Sequence, residues 1–171
     1  MTDQPSKSEQ HTVLTILDHH FMRRAIKLAE IGIQSNVGGP FGAVVVHEGK
    51  IIGEGCNRVT SSNDPTAHAE VVAIRAACEH LGHFQLNDCT IYTSCEPCPM
   101  CLGAIYWARP SRVLYGCNHS DAAAIGFDDH FIYDEIQLEL EKRRIPMMNF
   151  LRTEALRVFD LWASKSDRTD Y

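Results

Sequence analysis

The fold is decided by residues 67–117, AHAEVVAIRAACEHLGHFQLNDCTIYTSCEPCPMCLGAIYWARPSRVLYGC. Apolar residues recur at helical spacing along 67–82, whereas CTIYTS at 89–94 and RVLYGC at 112–117 are rich in the β-branched and aromatic residues that strands favour. Between those strands, CEPCPMC leads into a helix that we expect to end before Pro110, because the residue before a proline disfavours helical backbone. This alternation of helix and strand predicts an α/β domain.

The segments on either side complete the predicted architecture. Before the central segment we expect a helix at 18–35 and a hairpin of two strands at 41–46 and 50–59. After it we expect a helix at 128–137, a short fifth strand at 145–151 and a last helix at 153–165. A hairpin followed by strand–helix alternation predicts a three-layer α/β/α fold with a mixed five-stranded sheet.

The length of the chain, 171 residues, is that of one ordinary domain. We expect a flexible N-terminal tail at 1–12, the main domain at 13–152, and a C-terminal helix and tail at 153–171. No apolar run approaches the roughly 20 residues that cross a bilayer, so we expect no membrane contact.

Cysteine usage and net charge indicate the compartment and the class of partner. The seven cysteines are an odd number at uneven spacings, and no signal peptide is recognisable at the start of the chain. We therefore expect a cytoplasmic protein whose cysteines are buried or bound to metal. A net charge of −6 leaves room for a local basic patch but disfavours a phosphate-rich partner, so we expect no binding to nucleic acid.

Two short motifs carry the candidate chemistry: His-Ala-Glu at 68–70 and Pro-Cys-Pro-Met-Cys at 97–101. Together they match the H-x-E…P-C-x-x-C pattern of zinc-dependent deaminases. His68, Cys98 and Cys101 offer one imidazole and two thiolates, and cysteines three residues apart share one face of a helix's first turn. Three protein ligands leave a fourth position on zinc for water, which is typical of a catalytic site rather than a structural one.

The carboxylate of Glu70 stands two residues from His68 and is the candidate general base that moves protons between water and substrate. One alternative is a structural zinc site of three cysteines and a histidine, because Cys95 adds a second C-x-x-C spacing. Pro97 biases Glu96 away from helix, so we expect Cys95 to precede the turn that presents the other cysteines. A zinc-stabilised binding module without turnover stays open as a second alternative, although it has no use for Glu70.

Longer segments around these motifs carry a family resemblance. They are GGPFGAVVV, SNDPTAHAEVVAIR, YTSCEPCPMCLGAIYWARP and DAAAIGFDDHFIY, at 38–46, 62–75, 92–110 and 121–133. Through them the chain resembles the cytidine deaminase superfamily and, within it, the bacterial guanine deaminases. The zinc motif points to the superfamily, and the GFDD segment points to the guanine branch.

The resemblance implies hydrolytic deamination of guanine to xanthine and ammonia, with Zn²⁺ held by the three ligands and Glu70 as the proton shuttle. It also implies that five further residues bind the purine by hydrogen bonding, by stacking or by covering the pocket: Asn57 and Asp129, Phe41, and Trp107 with Tyr171. A C-terminal segment that is swapped between the subunits of a homodimer is implied as well. Residue chemistry agrees on one point, since guanine presents N–H donors that an acidic acceptor suits.

Several alternatives stay open at this stage. Asn57 could satisfy backbone groups in a turn at the end of a strand, and His119 and His130 have no expected partner. The substrate could be guanosine or an aminotriazine such as ammeline instead of guanine. A tRNA adenosine deaminase would share the fold and the zinc motif, but it would need a basic surface around its pocket.

Overall fold

A computed structural model describes residues 14–170 of the chain. The elements in chain order are α1 Ile16–Gln34, β1 Gly42–His47, β2 Lys50–Cys56, α2 Val59–Ser62, α3 Ala69–Leu81, β3 Cys89–Cys95, α4 Pro99–Ala108, β4 Arg112–Cys117, α5 His119–Ala124, α6 His130–Gln137 and α7 Arg152–Ser164, with a 3₁₀ turn at Leu140–Lys142. The predicted helices and the first four predicted strands are confirmed to within a few residues. The short helices α2 and α5 were not expected.

The sheet is mixed, with strand order β2-β1-β3-β4. Strand β1 runs antiparallel to both β2 and β3, while β3 and β4 are parallel. The hairpin between β1 and β2 turns at Glu48 and Gly49, which both have positive φ. The parallel pair requires a crossover, and α4 provides it.

Helices cover both faces of this sheet, as the three-layer prediction required. On one face, Ala43, Val45 and Ile91 pack with buried residues of α3 and α4. On the other face, Val44 and Tyr92 pack against α1. Successive residues of a strand point to opposite faces, so β1 and β3 each contribute to both cores.

Two glycines let helices approach the sheet at backbone distance. A Cβ atom on Gly42 would lie 2.2 Å from the carbonyl oxygen of Ala25 in α1. A Cβ atom on Gly55 would lie 2.2 Å from the carbonyl oxygen of Ala69, the first residue of α3. The start of α3, which carries one of the two predicted zinc motifs, is therefore seated directly on β2.

A buried polar cluster fixes α1 to the sheet. Asp18 caps the first turn of α1 together with Thr15. It accepts a hydrogen bond of 2.6 Å from the hydroxyl of Tyr92 and forms an ion pair with Arg112. Burial disfavours ionisation of Asp18, but hydrogen bonds from Tyr92 and Thr15 and the charge of Arg112 outweigh it and lower its pKa to about 2. Burial and the bond to Asp18 raise the pKa of Tyr92 to about 12.

The fifth strand predicted at 145–151 is wrong, since residues 14–170 contain four strands. A strand needs a neighbour to satisfy its backbone hydrogen bonds. The described residues fall into two compact units that divide between Asp129 and His130, and residues 130–170 contain no other strand to pair with this segment. The segment therefore lacks a strand partner within its own unit.

The second unit is helical. Arg144 pairs with Glu135 at 3.3 Å and lies 5.6 Å from the centre of the Phe131 ring. The predicted domain limits at 13–152 and 153–171 stay predictions, and the tail predicted at 1–12 lies outside the described residues. Across residues 14–170, no helix combines the length and the apolar character that spanning a membrane demands.

Candidate metal centre and active site

The three predicted zinc ligands lie at the starts of two helices. His68 is the N-cap residue of α3 and Cys98 the N-cap residue of α4, both with extended backbone, and Cys101 follows in the first turn of α4. Pro99 occupies the first turn of α4, where its missing N–H is not needed. Each motif thus folds as a strand, a loop and a helix start, which brings its ligands to the edge of the sheet.

The ligand atoms have the spacing that zinc requires. His68 Nδ1 lies 3.5 Å from Cys98 Sγ and 3.4 Å from Cys101 Sγ, and the three ligand atoms all lie within 4.8 Å of one another. In a tetrahedral site with Zn–S of about 2.3 Å and Zn–N of about 2.0 Å, ligand atoms are about 3.6 Å apart. These residues therefore fit zinc, bound through Nδ1 of His68.

Protonation within this cluster is shared unequally. A hydrogen bond from Cys101 lowers the pKa of Cys98 to about 4. Burial opposes this shift, and a hydrogen bond from His68 reinforces it. The same contact with Cys98 and burial raise the pKa of Cys101. The bond to Cys98 also raises the pKa of His68. Zinc must displace these protons, so acid competes with the metal for the site.

Cys95 is not part of the cluster. It is buried at the end of β3, and its sulfur lies 3.8 Å from the carbonyl oxygen of Asn118. Burial raises the pKa of Cys95 to about 11. Among the described residues, the group that could hold a metal comprises His68, Cys98 and Cys101, with Cys95 outside it. This is the three-ligand arrangement of a catalytic zinc site.

Glu70 lies beside the metal ligands without being one of them. It is 5% exposed, and its Oε2 is 3.4 Å from Cys101 Sγ. Burial raises the pKa of Glu70, which brings this carboxyl group nearer to the range of a general acid and base. The hydroxyl of Thr93 donates a hydrogen bond of 3.1 Å to Glu70 Oε1.

Thr93 was missed by the sequence reasoning. It is fully buried, and it faces α3 because it is two residues from Ile91 on the same side of β3. The available signal was a polar residue at a core-facing position of a predicted strand. A buried polar group needs a partner, and the buried carboxylate of the neighbouring helix is that partner.

Asn57 holds the loop that precedes β1 in place. It is 5% exposed, and its Oδ1 accepts hydrogen bonds of 3.2 Å from the backbone N–H groups of Gly39 and Val59. Two N–H donors at one atom identify that atom as the oxygen, so the amide N–H groups are what Asn57 offers to a ligand. The alternative that Asn57 satisfies backbone groups in a turn is therefore correct for its amide oxygen.

Phe41 is half-buried in the loop that precedes β1, next to Asn57. Its ring meets Phe127 edge to face, with centroids 4.9 Å apart and planes at 90°. Phe127 belongs to the GFDD segment, so this contact ties that segment to the loop before β1. Edge-to-face packing is a favourable aromatic arrangement.

Asp129, at the end of the GFDD segment, contacts a histidine. His119 Nδ1 lies 3.3 Å from Asp129 Oδ1, and His119 Nε2 lies 3.4 Å from Glu96 Oε1. The charge of Asp129 also contributes to the raised pKa of His68, which indicates that Asp129 is near the metal ligands. His119, which had no expected partner, therefore bridges two carboxylates.

Two further residues were predicted to line or cover the site, Trp107 and Tyr171. Trp107 is 64% exposed on α4, and Tyr171 lies outside the described residues. His130 lies 3.9 Å from Asp134 on the exposed side of α6.

Comparison with known proteins gives consistent relationships. Residues 15–117 match the cytidine and deoxycytidylate deaminase zinc-binding region. The chain is 58% identical over 151 residues to guanine deaminase of Bacillus subtilis, an alignment that covers 88% of this chain and 97% of that protein. An X-ray structure of guanine deaminase from Bacillus subtilis superposes with a TM-score of 0.87 at 57% identity, over 90% of this chain and 98% of that one.

The chain also has a more distant relative. A tRNA-specific adenosine deaminase of Buchnera aphidicola is 34% identical over 142 residues, which is 82% of this chain and 90% of that protein. The ligand geometry and these relationships agree, and the chain belongs to the zinc-binding cytidine and deoxycytidylate deaminase family.

Proposed function

We propose that this protein deaminates guanine hydrolytically to xanthine and ammonia. The observation that carries the proposal is the buried Glu70 beside the His68, Cys98 and Cys101 cluster, in a chain 58% identical to a guanine deaminase. The alignment covers 97% of that protein, so the similarity extends well beyond the zinc motif.

The proposed reaction assigns the proton transfers to Glu70. His68, Cys98 and Cys101 would hold zinc, which would act as a Lewis acid toward the water that attacks C2 of guanine. Glu70 takes one proton from that water and passes it to the ring nitrogen N3; it then takes the second proton from the new hydroxyl on C2 and delivers it to the departing amine. Guanine and water thereby give xanthine and ammonia. Thr93 supports this role because its hydrogen bond fixes one carboxylate oxygen of Glu70.

Guanine recognition falls to groups that flank the metal cluster. Asp129 accepts hydrogen bonds from the N–H edge of the base, and Asn57 donates through its amide N–H groups. Phe41 stacks on the purine, which adds affinity more than selectivity because every base has an aromatic face. Trp107 and Tyr171 cover the pocket. Glutamine or asparagine at position 129 would present mixed donors and acceptors, so the acidic residue is what favours guanine.

A homodimer built through the C-terminal segment is part of the proposal. Large apolar side chains of residues 145–162 are exposed in the single chain, among them Met148 at 86%, Phe150 at 83% and Phe159 at 69%. Apolar surface of this extent is typical of a surface that another chain covers. A second copy fits, because it would offer the same apolar segment in return.

Two measurements test the dimer and its link to the site. Light scattering should give twice the chain mass, and Phe159→Glu should shift the protein toward the monomer. A chain truncated after Lys165 should lose affinity for guanine if Tyr171 covers the pocket. Unchanged KM in the truncated protein would remove Tyr171 from the site, and a monomeric wild type would contradict the dimer.

A cytoplasmic location remains consistent with the cysteines. All seven are free thiols rather than disulfides, which supports a reducing compartment.

The substrate is tested by ammonia release from purified zinc protein. The panel contains guanine, guanosine, adenine, cytosine, cytidine, ammeline and a tRNA. We expect turnover of guanine well above that of every other compound. Activity confined to the tRNA would favour the relationship to the tRNA-specific adenosine deaminases instead, and activity confined to cytidine would overturn the purine assignment.

A further inference from the structure

His119 lies between two carboxylates that both belong to the surroundings of the site. It is the first residue of α5, directly after the N-cap Asn118. Its backbone N–H donates to Glu96 Oε2 at 3.3 Å, and its ring contacts Glu96 Oε1 through Nε2 and Asp129 Oδ1 through Nδ1, at 3.4 and 3.3 Å. Glu96 is thus held by both the main chain and the side chain of His119.

The two carboxylates connect different parts of the site. Glu96 stands two residues before the metal ligand Cys98, and Asp129 ends the GFDD segment. That segment is anchored at Phe127, whose ring packs on Phe41. His119 supplies a second anchor at the residue proposed to read the base. The last three residues of the segment, 127–129, are therefore fixed at both ends, at Phe127 and at Asp129.

Fixing Asp129 has a chemical purpose. The ring of His119 presents one nitrogen to each carboxylate, Nδ1 to Asp129 and Nε2 to Glu96. A hydrogen bond to an ionised carboxylate is stronger than one between two neutral groups. The contact with His119 holds Asp129 Oδ1, so the orientation of the whole carboxylate toward a ligand is set before the ligand arrives. Binding then pays less for ordering that side chain.

We propose that His119 is a positioning residue for substrate recognition, which orients Asp129 and ties it through Glu96 to the loop that carries Cys98. The inference rests on the proposed function, since it assigns His119 a part in binding guanine. The contacts of His119 described above are with Glu96 and Asp129, the carboxylates that flank the site. Its loss should therefore act on substrate affinity rather than on the chemical step.

The test is a double-mutant cycle with His119→Leu and Asp129→Asn on the zinc-loaded enzyme. His119→Leu should raise KM for guanine about tenfold, the size expected for loss of one hydrogen bond to a charged group, and change kcat by less than about threefold. Binding of hypoxanthine, which keeps the N1–H donor, should weaken about tenfold in calorimetry. Zinc content should stay at the wild-type level.

Two further variants separate positioning from general damage. His119→Gln, which keeps one donor, should recover part of the lost affinity. His80→Leu replaces an exposed histidine of α3 and should leave both constants unchanged. In the Asp129→Asn background, His119→Leu should cause little further loss, because it acts through Asp129.

Unchanged KM and hypoxanthine affinity in His119→Leu would overturn the proposal, as would an undiminished effect in the Asp129→Asn background. If the wild type deaminates another compound of the panel and not guanine, the proposed substrate fails, and the same cycle on that compound decides the role of His119. A wild type that binds and deaminates none of them overturns both.

Discussion

The carboxylate of Asp18 offers a measurable test of how the sheet is held to α1. Asp18→Asn keeps the shape of the side chain but removes its charge. The substitution leaves Arg112 without its ion-pair partner and weakens the bond from Tyr92, whose hydroxyl lies 2.6 Å from the carboxylate. We expect the variant to fold and to be less stable than the wild type.

The magnitude follows from the pKa of Asp18. A carboxyl group whose pKa falls from 3.8 to about 2 on folding contributes about 2 kcal/mol to the free energy of unfolding at neutral pH, at about 1.4 kcal/mol per pKa unit. Because the folded-state pKa is lowered, this contribution is fully present above pH 3.8 and is lost as the pH falls to about 2. For a chain of this length, 2 kcal/mol corresponds to a fall in Tm of about 4–8 °C.

Urea denaturation at pH 7 should show this loss in Asp18→Asn, and the difference from wild type should shrink between pH 4 and pH 2. Asp160→Asn is the control, because Asp160 is exposed on α7 and its replacement should cost less than about 0.5 kcal/mol. A loss below 0.5 kcal/mol for Asp18→Asn at pH 7 would refute the reasoning. So would a difference that persists unchanged in acid.

Three further predictions concern the metal centre. Glu70→Gln should lower kcat by about 10²- to 10⁴-fold while zinc content, measured by atomic emission, stays near one ion per chain; near-normal turnover would contradict the proton transfers assigned to Glu70. Cys98→Ser should release zinc to a mild chelator, whereas Cys95→Ser should retain it, and equal loss in both would revive the four-ligand alternative. Gly55→Ala should weaken zinc binding in a chelator competition, because its new methyl group must push the carbonyl of Ala69 from 2.2 Å to van der Waals distance; an unchanged affinity would show that α3 can shift without disturbing the site.

The metal cluster was predictable from sequence because its residues are close in the chain or sit at predictable helix starts. The three-residue spacing of Cys98 and Cys101 predicted that they share one helical turn. Pro99 was expected at the start of that turn, because proline has no backbone N–H to leave unsatisfied there. His68 was expected at the same edge of the sheet, because the alternation of strands and helices puts the start of its helix there. The distances from its Nδ1 to the two sulfurs then agree with tetrahedral zinc.

The supporting contacts were not predictable, because they join residues far apart in sequence. Thr93 meets Glu70 across 23 residues, and Tyr92 meets Asp18 across 74. No local pattern records such pairings, which depend on strand order and on which face of β3 each residue takes. The fifth strand failed for a related reason: a segment forms a strand only where a neighbouring strand accepts its hydrogen bonds.

The direct seating of α3 on Gly55 has a consequence for how this scaffold can change. The position of the helix that carries His68 and Glu70 is set by contact between main chains. This contact does not depend on side chains elsewhere in the core. The groups proposed to read the base, by contrast, lie on loops and on the segment after α5. Such a division leaves substrate preference free to diverge while the hydrolytic chemistry is inherited intact, which suits a scaffold whose relatives include both guanine and tRNA adenosine deaminases.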